Sequence, residues 1–153
     1  MAGQRSKNKR VKKSGVIYFA VNNRIESMVK IGMTVGTAES RLKTANKTHE
    51  FMCGTWTITQ KVKTNDVTRT EDLAHKIFSE HHDSESVSSE MYFIPDGWTV
   101  KQMADDVREK DKIMRGQDDK KTKAMDAVRK AQEVLEKINE ETDGLISLSK
   151  SSE

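Results

Sequence analysis

Residues 15–34, GVIYFAVNNRIESMVKIGMT, decide the fold of this chain. Gly15 to Asn22 is rich in β-branched and aromatic residues, Met28 to Met33 repeats that character, and the polar stretch Asn23 to Ser27 separates them. Two strands joined as a hairpin follow. Alternate side chains of a strand share a face, so Val16, Tyr18 and Ala20 point one way, and Met28, Lys30 and Gly32 share a face of the second strand. A turn centred near Arg24 places Tyr18 opposite Lys30.

Working outward, Thr37 to Asn46 has helical spacing, with Thr37 as N-cap, Ala38, Leu42 and Ala45 on one stripe and Arg41 at its border. Thr55 to Lys63 sets Trp56, Ile58, Gln60 and Val62 against Thr57, Thr59 and Lys61, the alternation of a half-exposed third strand. From Thr68 to His82, Leu73, Ala74, Ile77 and Phe78 return to helical spacing, and Thr68 with Glu71 matches a capping box. Glu90 to Pro95 reads as a short edge strand stopped by the lone proline. Val100, Met103, Ala104 and Val107 then form the apolar side of a helix packed back onto the domain. The expected class is α+β, a small three-stranded antiparallel sheet flanked by helices, followed by a C-terminal helix.

Charge divides the chain further. Residues 1–14 hold Arg5, Lys7, Lys9, Arg10, Lys12 and Lys13 with no acid, whereas the remainder has 21 basic residues against 24 acidic ones. Such a segment lacks the apolar content to fold alone and reads as a disordered basic arm. It is either a solubilising tail or a grip on nucleic-acid phosphates, whose counterions clustered Lys and Arg release. Residues 15–110 form the expected domain and 111–153 a charged helical tail. In that tail Ala124, Val128, Ala131, Leu135 and Ile138 alternate spacings of four and three over about three heptads. A solvated helix, a docked helix and a homodimer seam all fit this pattern.

The longest strongly apolar run, Val16 to Val21, is too short to cross a bilayer, and no signal-peptide core follows the basic start. One cysteine, Cys53, excludes an internal disulfide and a multi-cysteine zinc module. A cytoplasmic location is the expectation.

Gly15-Val16-Ile17-Tyr18, then Val29-Lys30-Ile31-Gly32-Met33-Thr34, then Arg41, Glu71 and His75 on the same helix as Glu71, resemble the GIY-YIG nuclease superfamily. The likeness is to the phage and bacterial branch whose second motif reads KIG. It spans roughly Gly15 to Pro95 and lacks a clear counterpart of the late asparagine of some members. The resemblance implies a metal-dependent DNA endonuclease using Mg²⁺ or Mn²⁺. On it, Tyr18 matches the tyrosine that assists deprotonation of the attacking water, Arg41 the arginine of the first helix, and Glu71 the metal ligand. Lys30 stands where many relatives carry a second tyrosine, and His75 is a candidate for a substrate or acid role.

The chemistry suits these residue types. Phosphodiester hydrolysis needs an activated water and neutralisation of charge growing on phosphate oxygens. An ammonium beside a phenol favours the phenolate, Arg offers a planar fork of donors, and a carboxylate is a hard ligand for Mg²⁺. Each residue also has a plainer reading. Tyr18 can fill a sheet face, Lys30 can be a solvated strand residue, Glu71 can be consumed by the Thr68 capping box, and Glu90 can serve the sheet edge. His81 and His82 read as helix-end residues. The rival to an enzyme is a catalytically silent module of the same fold that acts by occupying DNA or a partner protein.

Overall fold

The computed structural model describes residues 11–48, 54–86 and 88–151. Its hairpin is β1 (Gly15–Asn22) and β2 (Ile25–Thr34), followed by α1 (Ala38–Thr48), β3 (Trp56–Thr64), α2 (Val67–Ile77), a 3-10 turn at Ser79–His81, β4 (Met91–Phe93) and α3 (Val100–Ser151). The sheet has four antiparallel strands in the order β3-β1-β2-β4, not three. The Met-Tyr-Phe run joins the same sheet as its outer strand, three residues long. Its brevity leaves little unpaired edge beyond it.

The hairpin turn is tighter than the polar stretch implies. Asn22 pairs Ile25 across Asn23 and Arg24, and an irregularity next to Val21 absorbs the extra residues on β2. Asn22 Oδ1 accepts from the Arg24 N–H at 2.8 Å, and Asn23 bonds Thr55 through both its backbone N–H and its side chain, tying the turn to the start of β3. Gly54 makes this approach feasible. Its φ is +96°, and a Cβ there would lie 2.5 Å from Asn22 Oδ1.

This register sets Tyr18 opposite Gly32 and Lys30 opposite Ala20, correcting the expected Tyr18 to Lys30 pairing by two residues. A second irregularity, between Phe19 and Ala20 on the β3 side, inserts one residue of β3. Alternation along β3 is thereby reversed midway: Trp56 and Ile58 join the Tyr18 face, whereas Val62 joins the opposite one.

The sheet consequently has two apolar faces. Ile17, Phe19, Val29 and Ile31 pack with Val67 and Ala74 of α2, with its C-cap Phe78 and with Met103, Ala104 and Val107 of α3. On the other face Tyr18, Ala20, Met28 and Met91 pack with Trp56 and with Ala38 and Leu42 of α1. Each fully buried aliphatic residue here contributes about 1.5–3 kcal/mol relative to exposure. Asn46 fixes α1 to β3 by bonding both the N–H and the carbonyl of Trp56, at 2.8 and 2.9 Å.

The helix starts show which caps operate. Thr37 Oγ1 accepts from the Ser40 N–H at 3.2 Å, as its sequence position implies. The second helix starts earlier than expected, with Asp66 as N-cap accepting from Arg69 N, and it ends at Ile77 rather than His82. The expected Thr68–Glu71 capping box does not form. A buried polar knot anchors this end: Thr70 Oγ1 lies 2.7 Å from Thr64 Oγ1 and 2.9 Å from Asp111 Oδ1.

Contacts divide the chain into two compact units, Met1–Asp111 and Lys112–Glu153. The second consists of the later part of α3, which runs unbroken through Gly116 and Gly144 to Ser151. Interior glycines cost a helix about 1 kcal/mol each relative to alanine. No helix among the described residues is long and apolar enough to cross a membrane.

Candidate active site

Tyr18 and Lys30 lie on the face covered by α1, and the register brings their polar ends together. Lys30 Nζ donates to Tyr18 Oη at 2.5 Å and also to Glu90 Oε2, forming an ion pair at the point where β4 begins. Lys30 is 0% exposed and Tyr18 1% exposed. Lys30 is therefore not a solvated strand residue. Burying an ammonium is tolerable only with a counterion and hydrogen bonds, and Glu90 with Tyr18 supplies both.

Gly32 makes the arrangement sterically feasible. A Cβ on Gly32 would sit 2.6 Å from Tyr18 Oη and 2.9 Å from Lys30 Nζ. The glycine of the Lys-Ile-Gly run thus leaves the space that the phenol and the ammonium occupy.

On α2, Glu71 is the fifth residue of the helix and plays no part in its cap. Its carboxyl is pushed up from the usual range mainly by burial; His75 opposes the rise, Glu90 and Asp72 add to it, and Lys30 opposes it. Glu71 therefore lies in the electrostatic field of the Lys30–Glu90 pair. His75 Nε2 is 4.0 Å from Glu71 Oε1 and 3.2 Å from the carbonyl oxygen of Ile31. A carbonyl only accepts, so Nε2 carries the proton in that contact.

The Ile31 contact has a topological cause. Ile31 turns its amide toward β4, where its N–H donates to the carbonyl of Glu90 at 2.9 Å. The short strand ends there, and the His75 ring takes the carbonyl. The same ring stacks on Tyr92 at 5.4 Å between centroids, and His82 meets Tyr92 edge-on at 5.2 Å. Burial first, then the charges of Glu71 and Glu90, push the Tyr92 phenol up to about 12.

The model of the T5orf172 domain matches residues 15–110, which contain all of these elements. The chain belongs to the T5orf172 domain family. This phage-associated domain is related to nuclease and GIY-YIG-like folds. Comparisons with curated proteins and with solved structures give no match.

Within the T5orf172 domain, the structure joins Tyr18 and Lys30 directly, places Glu71 beside His75, and couples the two sets through charge. Arg41 is half-buried on α1, next to Leu42 of the Tyr18 cluster. Two residues that the sequence pattern leaves outside the site belong to it geometrically: Glu90, the counterion of Lys30, and Tyr92, the platform for His75. Their signal was adjacency in Glu-Met-Tyr-Phe, but only pairing of β4 with β2 brings Glu90 to Lys30 and Tyr92 to His75. Of the basic arm, Arg5, Lys7, Lys9 and Arg10 lie outside the described residues, as does Cys53. Lys12 and Lys13 are exposed, and the Lys13 carbonyl accepts from the Val67 N–H at 2.9 Å.

Proposed function

We propose that this T5orf172 domain is a GIY-YIG-type, KIG-variant endonuclease that hydrolyses DNA phosphodiester bonds with Mg²⁺ or Mn²⁺. The observation that carries the reading is the Tyr18–Lys30–Glu90 chain of contacts, whose charges act on the Glu71 carboxyl of α2. Lys30 holds the phenol oxygen of Tyr18 and favours negative charge on it, while Glu90 keeps the ammonium paired and in place. Tyr18 then serves as the acceptor for a proton of the attacking water. Arg41 is assigned to the phosphate, and the basic residues Arg5, Lys7, Lys9, Arg10, Lys12 and Lys13 to sequence-independent grip on the backbone.

The donor set fits a magnesium ion held through one protein carboxylate. No group of three or more His, Cys, Asp and Glu side chains that could hold a metal occurs among the described residues. Zinc normally takes three or four such ligands, whereas Mg²⁺ keeps several waters and binds through one or two carboxylates plus substrate phosphate. Glu71 would hold it, offsetting the cost of burying that carboxylate. The bound metal would neutralise charge on the phosphate oxygens. His75, anchored on the Ile31 carbonyl and the Tyr92 ring, orients the Glu71 side of the site.

The near-complete burial of Tyr18 and Lys30 favours a second reading, a silent module that binds DNA by occupancy and keeps this chain of side chains as part of its core. Nicking of supercoiled DNA by purified protein in Mg²⁺ or Mn²⁺ separates the two. The enzyme reading requires nicking that Glu71→Ala abolishes and Tyr18→Phe strongly slows. Salt-dependent DNA binding without any nicking assigns the silent role.

A further inference from the structure

The second unit, Lys112–Glu153, leaves an apolar seam uncovered. The series Ala124, Val128, Ala131, Leu135 and Ile138 continues at the same alternation through Thr142 and Leu145, all on one unbroken helix. Val128, Leu135, Ile138 and Leu145 are each more than half exposed. The positions beside the seam extend it rather than bounding it, since Met125, Val134 and Ile146 are also about half or more exposed. Most charged residues lie behind the seam, where Arg129 pairs with Asp126 at 3.8 Å, whereas Lys120, Lys121 and Glu141 fall on or beside it.

We infer that this helix pairs with the same helix of a second copy of the chain, running antiparallel to it. Two features of the sequence on this helix identify the occupant and the direction. The first is charge. Residues 120–130 carry Lys120, Lys121, Lys123, Arg129 and Lys130 against Asp126, a net of +4, and residues 133–143 carry Glu133, Glu136, Glu140, Glu141 and Asp143 against Lys137, a net of −4. Parallel pairing sets like against like along its whole length. Antiparallel pairing lays the basic half of each copy along the acidic half of the other, and it also aligns the helix dipoles favourably.

The second feature is volume. Antiparallel pairing about residue 133 faces Ala131 with Leu135 of the second copy, Val128 with Ile138, and Ala124 with Thr142. These three layers each combine a small residue with a larger one or two of middle size, and the outermost layer sets Leu145 against the aliphatic stem of Lys121. A parallel pair instead stacks Ala124 on Ala124 and Ala131 on Ala131, leaving thin layers beside Leu135 on Leu135. Seven exposed large side chains per copy offer roughly 600 Å² of apolar surface, so two copies bury on the order of 1,200 Å² in total, the lower end of a stable standard interface. The inference does not depend on the nuclease reading.

Sedimentation equilibrium of the full chain tests the stoichiometry. A dimer is expected, turned into a monomer of unchanged overall helix content by Val128→Glu with Leu135→Glu. A wild-type monomer, with the seam covered by something else, or a trimer would overturn the inference. Direction is tested in a Cys53→Ser background by refolding Ala124→Cys and Thr142→Cys chains together, one carrying a size tag, under oxidising glutathione. Antiparallel pairing yields disulfide-linked pairs containing one chain of each kind. Only self-linked pairs, or no mixed pair at all, would overturn it.

Discussion

Replacing Gly32 with alanine sets close packing around Tyr18 against ordinary backbone propensity, because the two predict opposite signs. In a strand interior, exchanging glycine for alanine normally stabilises by roughly 0.5–1 kcal/mol, since less backbone entropy is lost on folding. At Gly32 the new methyl would stand 2.6 Å from Tyr18 Oη, 2.7 Å from Cζ and 2.9 Å from Lys30 Nζ, where ordinary contact begins at 3.4 Å. The phenol must therefore retreat by about 0.8 Å, in a cluster where overpacking costs about 1–3 kcal/mol. Tyr18 is enclosed by Ala20, Leu42 and Met91 and held by Lys30, so it has little room to yield. A net destabilisation of about 1–2 kcal/mol is expected in urea unfolding followed by tryptophan fluorescence. In a Tyr18→Ala background the same change meets a cavity and should become neutral or stabilising, a coupling of at least about 1 kcal/mol. A neutral or stabilising Gly32→Ala in the wild-type background would refute the packing described for this site.

Three other outcomes follow from the geometry. Lys30→Met strips the Glu90 carboxylate of its partner and takes this donor from the Tyr18 hydroxyl; since Glu90 keeps some exposure, a loss of about 2–4 kcal/mol is expected by chemical denaturation. A cost under about 0.5 kcal/mol would mean that the ion pair is dispensable. Asp66→Ala should cost about 1 kcal/mol, the worth of a helix N-cap, and Thr68→Ala should leave stability within about 0.5 kcal/mol, the reverse of what a Thr68 capping box demands. Tyr92, whose folded-state phenol is raised to about 12 from the ordinary 10.0, stabilises the fold fully below pH 10 and loses that contribution as pH rises through 12. Melting temperature should accordingly fall more steeply in that window for wild type than for Tyr92→Phe, and parallel curves would count against the burial of that ring.

How much of the structure is legible in the residues alone varies from element to element. Strand β1 and the Thr37 cap are read directly, because β-branched density and a capping side chain act locally. The Tyr18 to Lys30 contact is also foreseeable, but the route to it is not. Facing pairs are expected from the alternation, whereas the tight Asn23-Arg24 turn shifts the register by two, and the long lysine reaches back along the face to Tyr18. Nothing in the pattern of Thr55 to Lys63 announces the inserted residue that sends Val62 to the opposite face from Trp56, since the strand's polarity alternates regularly throughout.

Glu71 illustrates the opposite failure. Thr68-x-x-Glu71 has the spacing of a capping box, yet Asp66 lies two residues earlier and caps the helix, so the local motif lost to a neighbouring one of equal chemistry. The role of Glu90 depends on β4 pairing with β2, and its contact with Lys30 spans 60 residues of sequence that neither periodicity nor capping rules encode. The continuity of α3 across the expected 110/111 boundary is not announced by the residues, and Gly116 just beyond it is absorbed in the helix at modest cost.

The central claim, hydrolysis at the Glu71 and Tyr18 site, is tested most directly by following the conversion of supercoiled to nicked plasmid by wild type and Glu71→Gln in matched Mg²⁺ and EDTA buffers. Metal-dependent nicking by wild type is predicted, abolished by EDTA and reduced at least about 100-fold in the variant, whose circular dichroism stays native. Equal nicking by the two proteins, or none by wild type at any Mg²⁺ or Mn²⁺ concentration, would contradict it.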